Sequence, residues 1–188
     1  MGRFFAASRA WAAGRWWQWR VPLLLFLGWD GLRHLRDPEA GGLFAGITFG
    51  VHEFGHLLFA AFGEVLGVAG GSLTQLLIPV LTGALLYHHR DYFGLSVAGA
   101  WLASSLLDLA RYIADARVGD LALASFSEES VHDCTWLLGR MGWLQHDLVL
   151  ARAASGLGLL VLLTALLYGA WLCLAMRPPA AVDGGPPG

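Results

Sequence analysis

The sequence predicts an all-α fold: a polytopic bundle of about five transmembrane helices, with an interfacial helix between the fourth and the fifth. The first observation is composition, because 56% of the 188 residues are hydrophobic, only 14% are charged, and the mean hydropathy is +0.57. A soluble domain carries about a quarter charged residues, so these values indicate that lipid is the solvent. The second observation is that apolar runs alternate with polar breaks. We expect residues 1–177 to form a single membrane-embedded domain and the Pro/Gly-rich residues 178–188 to form a disordered tail.

The first predicted span, residues 16–32, follows an N-terminal segment in which arginine and tryptophan residues are interspersed. Tryptophan is enriched where a helix meets the membrane surface, so this segment is typical of an aromatic interfacial belt. A secretory signal peptide would offer a small-residue cleavage site after the apolar run, and residues 28–31, Gly-Trp-Asp-Gly, do not supply one. We therefore expect an uncleaved membrane anchor.

Four further apolar runs approach the length of about 20 residues that a transmembrane helix needs. Between the last two, the Trp and Leu residues of segment 136–144 have the spacing of an amphipathic interfacial helix. The predicted spans are residues 42–66, 73–87, 92–114 and 148–176, with a glycine-rich turn at 67–72 and a polar connection at 115–147.

The distribution of arginine predicts the orientation of these spans. Loops on the cytoplasmic side of a membrane carry an excess of Lys and Arg. With a cytoplasmic N-terminus, that side receives the four arginines of the first 20 residues together with Arg117 and Arg140. The opposite side receives Arg33, Arg36, Arg90 and Arg177. We expect a multi-pass protein of the bacterial inner membrane with its N-terminus in the cytoplasm.

A cluster of titratable residues interrupts the second predicted span. Residues 52–56 read His-Glu-Phe-Gly-His, and on a helix His52 and His56 lie one turn apart on the same face. Both imidazoles can therefore reach one cation, while Glu53 lies beside them as a candidate general base. Titratable groups are costly in hydrocarbon, so their presence in a span favours a functional explanation.

A catalytic zinc site needs a third protein ligand in addition to two histidines. Asp108 is favoured because it lies in an apolar context and at a similar depth: about 24 Å along its span, against roughly 18 Å for the histidines. His132 and Asp133, in the polar connection, are alternatives if that connection folds back toward the site. Asp115 and the pair His88–His89 are less favoured because they lie near the membrane surfaces.

These features resemble the site-2 protease family of intramembrane zinc metallopeptidases. The resemblance depends on residues 51–58 within a spanning helix, on the glycine-rich turn and Gln75 that follow, and on Leu107–Asp108 in a later span. It implies that His52, His56 and Asp108 bind Zn²⁺ and that Glu53 activates the water that attacks a peptide bond. Gln75 is a candidate substrate-binding residue, with hydrogen bonding between helices as the alternative.

The predicted function is therefore zinc-dependent hydrolysis of a peptide bond in or near the bilayer, with a membrane protein or peptide as substrate. The alternative is a non-catalytic, metal-bearing membrane scaffold or an accessory subunit of a larger complex. A net charge of −2 without a basic cluster argues against nucleic acid as a partner. The two cysteines, Cys134 and Cys173, are too few and too far apart to predict a disulfide scaffold or a Cys-x-x-Cys metal site.

Overall fold

The structure is a computed structural model that describes residues 2–37, 41–120 and 132–177. Within these ranges the chain forms α-helices and short 3₁₀ turns and contains no β-strand, which confirms the all-α prediction. The predicted disordered tail, 178–188, lies outside the described residues. The helices are α1 (Gly2–Ala12), α2 (Arg20–Arg36), α3 (Ala45–Phe59), α4 (Glu64–His88), α5 (Gly94–Ala114), α6 (Asp133–Met141) and α7 (Asp147–Ala175).

Two helical stretches in the described part of the chain are long and apolar enough to cross a membrane. They are Glu64–His88, which is α4, and Leu144–Ala175, which is α7 with the 3₁₀ turn before it. Large apolar side chains cover the exposed faces of both helices, as a lipid-facing surface requires. The other three predicted spans correspond to α2, α3 and α5, and the five-span arrangement stays a prediction. On α4 and α7 the exposed side chains include Leu73, Leu77, Leu81, Leu85, Leu160, Leu163 and Leu167.

The glycine-rich segment predicted as a turn at residues 67–72 is helical. The chain turns earlier, at Gly63, whose φ of 98° is a conformation that favours glycine. The glycines inside α4 instead allow a close crossing with α3: a Cβ on Gly70 would lie 2.5 Å from the carbonyl oxygen of Gly55, and one on Gly55 would overlap the carbonyl of Gly70. The prediction of a turn was wrong because small residues serve helix packing as readily as they serve turns.

This crossing predicts opposite effects for two Gly→Ala substitutions on the same helix. Gly55→Ala forces α3 and α4 apart, and we expect it to lower the free energy of unfolding by about 2 kcal/mol or more. Gly50→Ala, whose new Cβ would have no neighbour within 4 Å, should raise it by about 0.5 to 1 kcal/mol, because alanine favours the helix. Thermal unfolding in detergent measures both, and equal effects of the two would contradict the crossing.

Helix α5 lies at the centre of the bundle and packs most extensively against α7, with α4 as a further neighbour. Its packed face is made of small side chains, which lets the other helices approach closely. Buried hydrogen bonds then fix the relative positions of the helices. Trp101 Nε1 donates to Thr48 Oγ1 of α3 at 3.0 Å, and Gln75 of α4 donates to the Ser105 carbonyl at 3.0 Å. Helices α3 and α4 are therefore both held against α5.

Helix α6 corresponds to the interfacial helix predicted at residues 136–144. It begins at Asp133, where the His132 side chain accepts a hydrogen bond from the Thr135 N–H, and it ends before Gly142, whose φ is 69°. The helix contacts both α4 and α5. The first residue of α6 is thereby placed against the centre of the bundle.

Candidate metal centre

Three potential metal ligands converge where α3, α4 and α6 meet. His52 Nε2 and His56 Nε2 lie 3.0 Å apart, and Asp133 Oδ2 lies 3.2 Å from the first and 3.1 Å from the second. In the described part of the chain these residues form a group that could hold a metal ion. The structure thus brings the two predicted histidines together, as their spacing on one helix requires.

The other ring nitrogen of each histidine faces a hydrogen-bond acceptor. His52 Nδ1 lies 2.7 Å from Gln75 Oε1, and the Gln75 amide orientation follows from its NH₂ group, which donates to the Ser105 carbonyl. His56 Nδ1 lies 2.9 Å from the carbonyl oxygen of Gly67. An oxygen acceptor at Nδ1 requires the proton on that nitrogen. In the neutral rings, both Nε2 atoms therefore carry lone pairs.

Three lone-pair atoms at such short separations repel one another unless a cation or an extra proton lies among them. Atoms bonded to one cation at about 2.0 to 2.2 Å lie roughly 2.8 to 3.6 Å apart, for bond angles from octahedral to tetrahedral. The separations of 3.0 to 3.2 Å fall within that interval. Histidines that donate from the remaining nitrogen are the usual form of metal-binding histidine. The residues present therefore fit a divalent transition metal.

Gly71 provides the space beside the two imidazoles. A Cβ on this residue would lie 2.5 Å from His56 Nε2 and 2.6 Å from His52 Nε2. Only a residue without a side chain leaves this volume free at a position facing both ligand atoms. The sequence alone does not indicate a role for Gly71, because a glycine in a glycine-rich helix carries no local signal of its partners.

We expect Gly71→Ala to lower metal affinity at least about 10-fold while the chain still folds, because the new methyl group displaces the flexible histidine rings rather than a backbone. Gly83→Ala is the matched control on the same helix, since its Cβ would meet only Ala98 Cβ at 3.7 Å. Metal content after dialysis against a weak chelator distinguishes the two variants. Retention of metal by Gly71→Ala would contradict the location of the site.

The site is largely buried and opens on one side. The side chains of His52 and Asp133 are 14% and 11% exposed, whereas His56 is 26% exposed. Glu53 is half-buried and close enough for its charge to act on the His56 ring. Access from outside is therefore on the side of His56.

Asp108, the favoured third ligand from the sequence, is not a member of this group. Its Oδ1 lies 3.1 Å from Nε2 of His34, which is almost fully buried on α2. In this structure the group that faces the Asp108 carboxylate is therefore His34 rather than the pair His52 and His56. The reason is that α2 continues to Arg36, four residues beyond the predicted end of the first span, and so brings His34 against α5.

Gln75 contacts a ligand histidine in this structure. The side chain is buried, accepts the His52 Nδ1 proton and donates to Ser105 on α5. Of the two roles considered from the sequence, the hydrogen bond between helices is therefore present. It determines which nitrogen of His52 faces the site.

Burial and hydrogen bonding act on the acidic groups of α6. Burial of the Asp133 carboxyl opposes its ionisation, but hydrogen bonds from His52 and His56, which an imidazole donates from Nε2 once it carries an extra proton, outweigh burial and hold the pKa of Asp133 below its usual value. Asp133 is therefore an anion at neutral pH. Burial, followed by the charge of Asp133, raises the pKa of the adjacent Cys134 thiol to about 12, so the thiol is protonated in the metal-free protein.

Two further residues lie beside the ligands: Tyr112, which was not a candidate from the sequence, and His132, which was an alternative third ligand and is not a member of the group. Tyr112 and His132 stack on each other, with ring centroids 4.1 Å apart and planes at 18°, and the Tyr112 ring lies edge-on to His52. The proximity of Tyr112 to the site depends on the return of the chain from α5 to α6, which no local pattern indicates.

Comparison with known proteins found no matching family model, no matching curated protein and no matching solved structure.

Proposed function

We propose that the chain is a membrane-embedded zinc metallopeptidase in which His52, His56 and Asp133 bind the metal and Glu53 is the general acid/base. The observation that carries the proposal is the convergence of the three ligand atoms within 3.0 to 3.2 Å, next to the glutamate of the His-Glu-x-x-His motif. Two histidines and a carboxylate leave one coordination position open, as a catalytic zinc site requires.

The glutamate next to the ligands, rather than the ligands themselves, favours zinc over other divalent metals. Two histidines and one carboxylate also suit iron(II), but a glutamate directly after the first histidine on the same helix is the arrangement of zinc peptidases. When bound, zinc supplies a Lewis acid that polarises a carbonyl and lowers the pKa of water to about 7. The metal present in the purified protein, determined by elemental analysis, tests this assignment.

The residues around the ligands each have a task in hydrolysis. Glu53 takes a proton from the attacking water and delivers it to the leaving amine. Gln75 and the Gly67 carbonyl hold the two imidazoles so that Nε2 of each ring faces the site. The peptide carbon is attacked by the water oxygen, its bond to nitrogen breaks, and a carboxylic acid and an amine result.

The outer face of α3 supports a substrate that comes from the bilayer. Phe54 is 55% exposed and Leu57 is 76% exposed, and because they are three residues apart they share one apolar face of α3, the helix that carries His56. An exposed apolar face on the helix that carries the site favours a hydrophobic segment over a soluble one as substrate. We therefore propose a membrane protein or a hydrophobic peptide as the substrate class.

Removal of the metal tests the proposal. We expect the purified full-length chain in detergent or nanodiscs to cleave a quenched fluorogenic peptide with an apolar sequence. Dialysis against a strong chelator should abolish cleavage, and one equivalent of Zn²⁺ should restore it. Cleavage that survives loss of the metal would contradict the proposal. Stable binding of one metal without any cleavage would favour the alternative, a metal-bearing scaffold.

A further inference from the structure

The third ligand, Asp133, reaches the histidines from a separate part of the chain. His52 and His56 lie on consecutive turns of α3, whereas Asp133 is the first residue of α6. Residues 121–131, between α5 and α6, lie outside the described residues. The position of Asp133 therefore depends on the contacts that hold the start of α6 against the rest of the bundle.

Those contacts come from the C-terminal end of α5. The Tyr112 hydroxyl accepts a hydrogen bond from the Asp133 N–H at 3.2 Å, and Thr135 Oγ1 donates to the Ala116 carbonyl at 2.6 Å. The first N–H groups of a helix have no partner within the helix, so an external acceptor at this point also fixes where the helix begins. Buried apolar packing of Ala116 against Cys134 and Leu138 reinforces these contacts.

His132 adds a second connection to the same end of α5. Its Nδ1 accepts from the Thr135 N–H at 3.3 Å, so in the neutral ring the proton is on Nε2, which lies 3.3 Å from Asp115 Oδ2. The other oxygen of Asp115 accepts from the Asp120 N–H at 3.0 Å. One carboxylate therefore contacts residues on both sides of the 121–131 segment.

A second His-Asp sequence, at the start of α7, lacks the capping contact that His132 makes at the start of α6. His146 and Asp147 occupy the same two positions at the start of α7 that His132 and Asp133 occupy at the start of α6. The His146 side chain makes no capping hydrogen bond, and Asp147 pairs with Arg117 at 2.6 Å. A His-Asp sequence at a helix start therefore does not by itself produce the capping contact.

We infer that Tyr112, Asp115 and His132 are positioning residues that hold α6 in place and present Asp133 to His52 and His56 before any metal binds. This inference rests on the proposed metal site, because it assigns these three side chains a role in the affinity of that site. The ligand they serve is a divalent transition metal. Preorganisation of this kind removes the cost of ordering α6 when the metal binds.

The test uses the full chain with two readouts. The first is zinc affinity, measured by competition with a chromogenic chelator. The second is hydrogen exchange of the α6 amides in metal-free protein. We expect Tyr112→Phe and His132→Ala each to lower zinc affinity 10- to 100-fold and to speed exchange in α6. His132→Asn, which restores a capping side chain, should recover part of both effects.

Matched controls and the two readouts separate the possible failures. Tyr168→Phe removes a hydroxyl that bonds to Ser8 instead, and His146→Ala removes the histidine that does not cap. Both controls should keep the zinc affinity of the wild type. Unchanged α6 exchange in Tyr112→Phe and His132→Ala would overturn the positioning role, whether or not the wild type binds zinc. Faster α6 exchange in the two variants, together with a wild type that binds no zinc, would overturn the metal site and keep the positioning role.

Discussion

Glu53→Gln is expected to lower the rate of peptide cleavage by about 10²- to 10⁴-fold while the protein keeps one metal per chain. The amide is nearly isosteric with the carboxylate but cannot accept a proton from water, and general acid/base groups contribute a factor of this size. The metal should remain because Glu53 is not a member of the group formed by His52, His56 and Asp133. Initial rates with the fluorogenic peptide, at equal metal content, measure the effect.

Glu64→Gln is the matched control for this change. Glu64 is exposed at the first position of α4, so the same change in charge occurs outside the site. We expect its cleavage rate to remain within about twofold of the wild type, as for surface substitutions remote from a site. If Glu53→Gln cleaved as fast as Glu64→Gln, Glu53 would not be the general base.

The second large effect is expected for Asp133→Asn, which should lower zinc affinity at least about 100-fold. An amide oxygen is neutral and a poorer ligand for zinc than a carboxylate, and its loss leaves only the two imidazoles. Asp108→Asn is the informative comparison, because it makes the same chemical change at the residue that the sequence favoured. Asp108→Asn should keep one zinc per chain, since its carboxylate contacts His34 instead.

The two variants should also differ in stability. Asp108→Asn removes the charge from a partly exposed contact with a buried histidine, and we expect a loss of about 1 kcal/mol in the free energy of unfolding. Zinc titration and thermal unfolding of both proteins provide the measurement. The reverse pattern, with zinc lost in Asp108→Asn and retained in Asp133→Asn, would mean that Asp108 of α5 is the third ligand.

The part of the site that could be predicted from the sequence is the part formed within one helix. His52, Glu53 and His56 lie within five residues, so helical periodicity alone places them together. The same reasoning predicted the helices around them. It also predicted a helix in the polar connection, which became α6.

Asp133 could not be ranked above Asp108 from the sequence, because its position depends on contacts between α5 and α6. The Tyr112 hydroxyl and the Asp115 carboxylate hold the start of α6, and neither contact follows from a local pattern. Depth along a span was the available criterion, and it applies only to residues that lie on spans. His34 likewise lies beyond the predicted first span, so no sequence pattern paired it with Asp108.

The role of the glycines in α4 also could not be predicted from the sequence, because it depends on the helix that packs against them. A run of glycine predicts either a turn or a close crossing of helices, and only the partner helix decides between the two. Here Gly70 contacts Gly55, and Gly71 faces the two ligand histidines. Both roles, close helix packing for Gly70 and space beside the imidazoles for Gly71, follow from tertiary contacts that the composition does not indicate.

The most direct test of the proposed metal centre is an experimental structure of the zinc-loaded protein, with anomalous diffraction recorded at the zinc edge. We expect one peak about 2.0 to 2.2 Å from His52 Nε2, His56 Nε2 and Asp133 Oδ2. A peak that contacts Asp108 in place of Asp133, or the absence of a peak between the two histidines, would contradict the account.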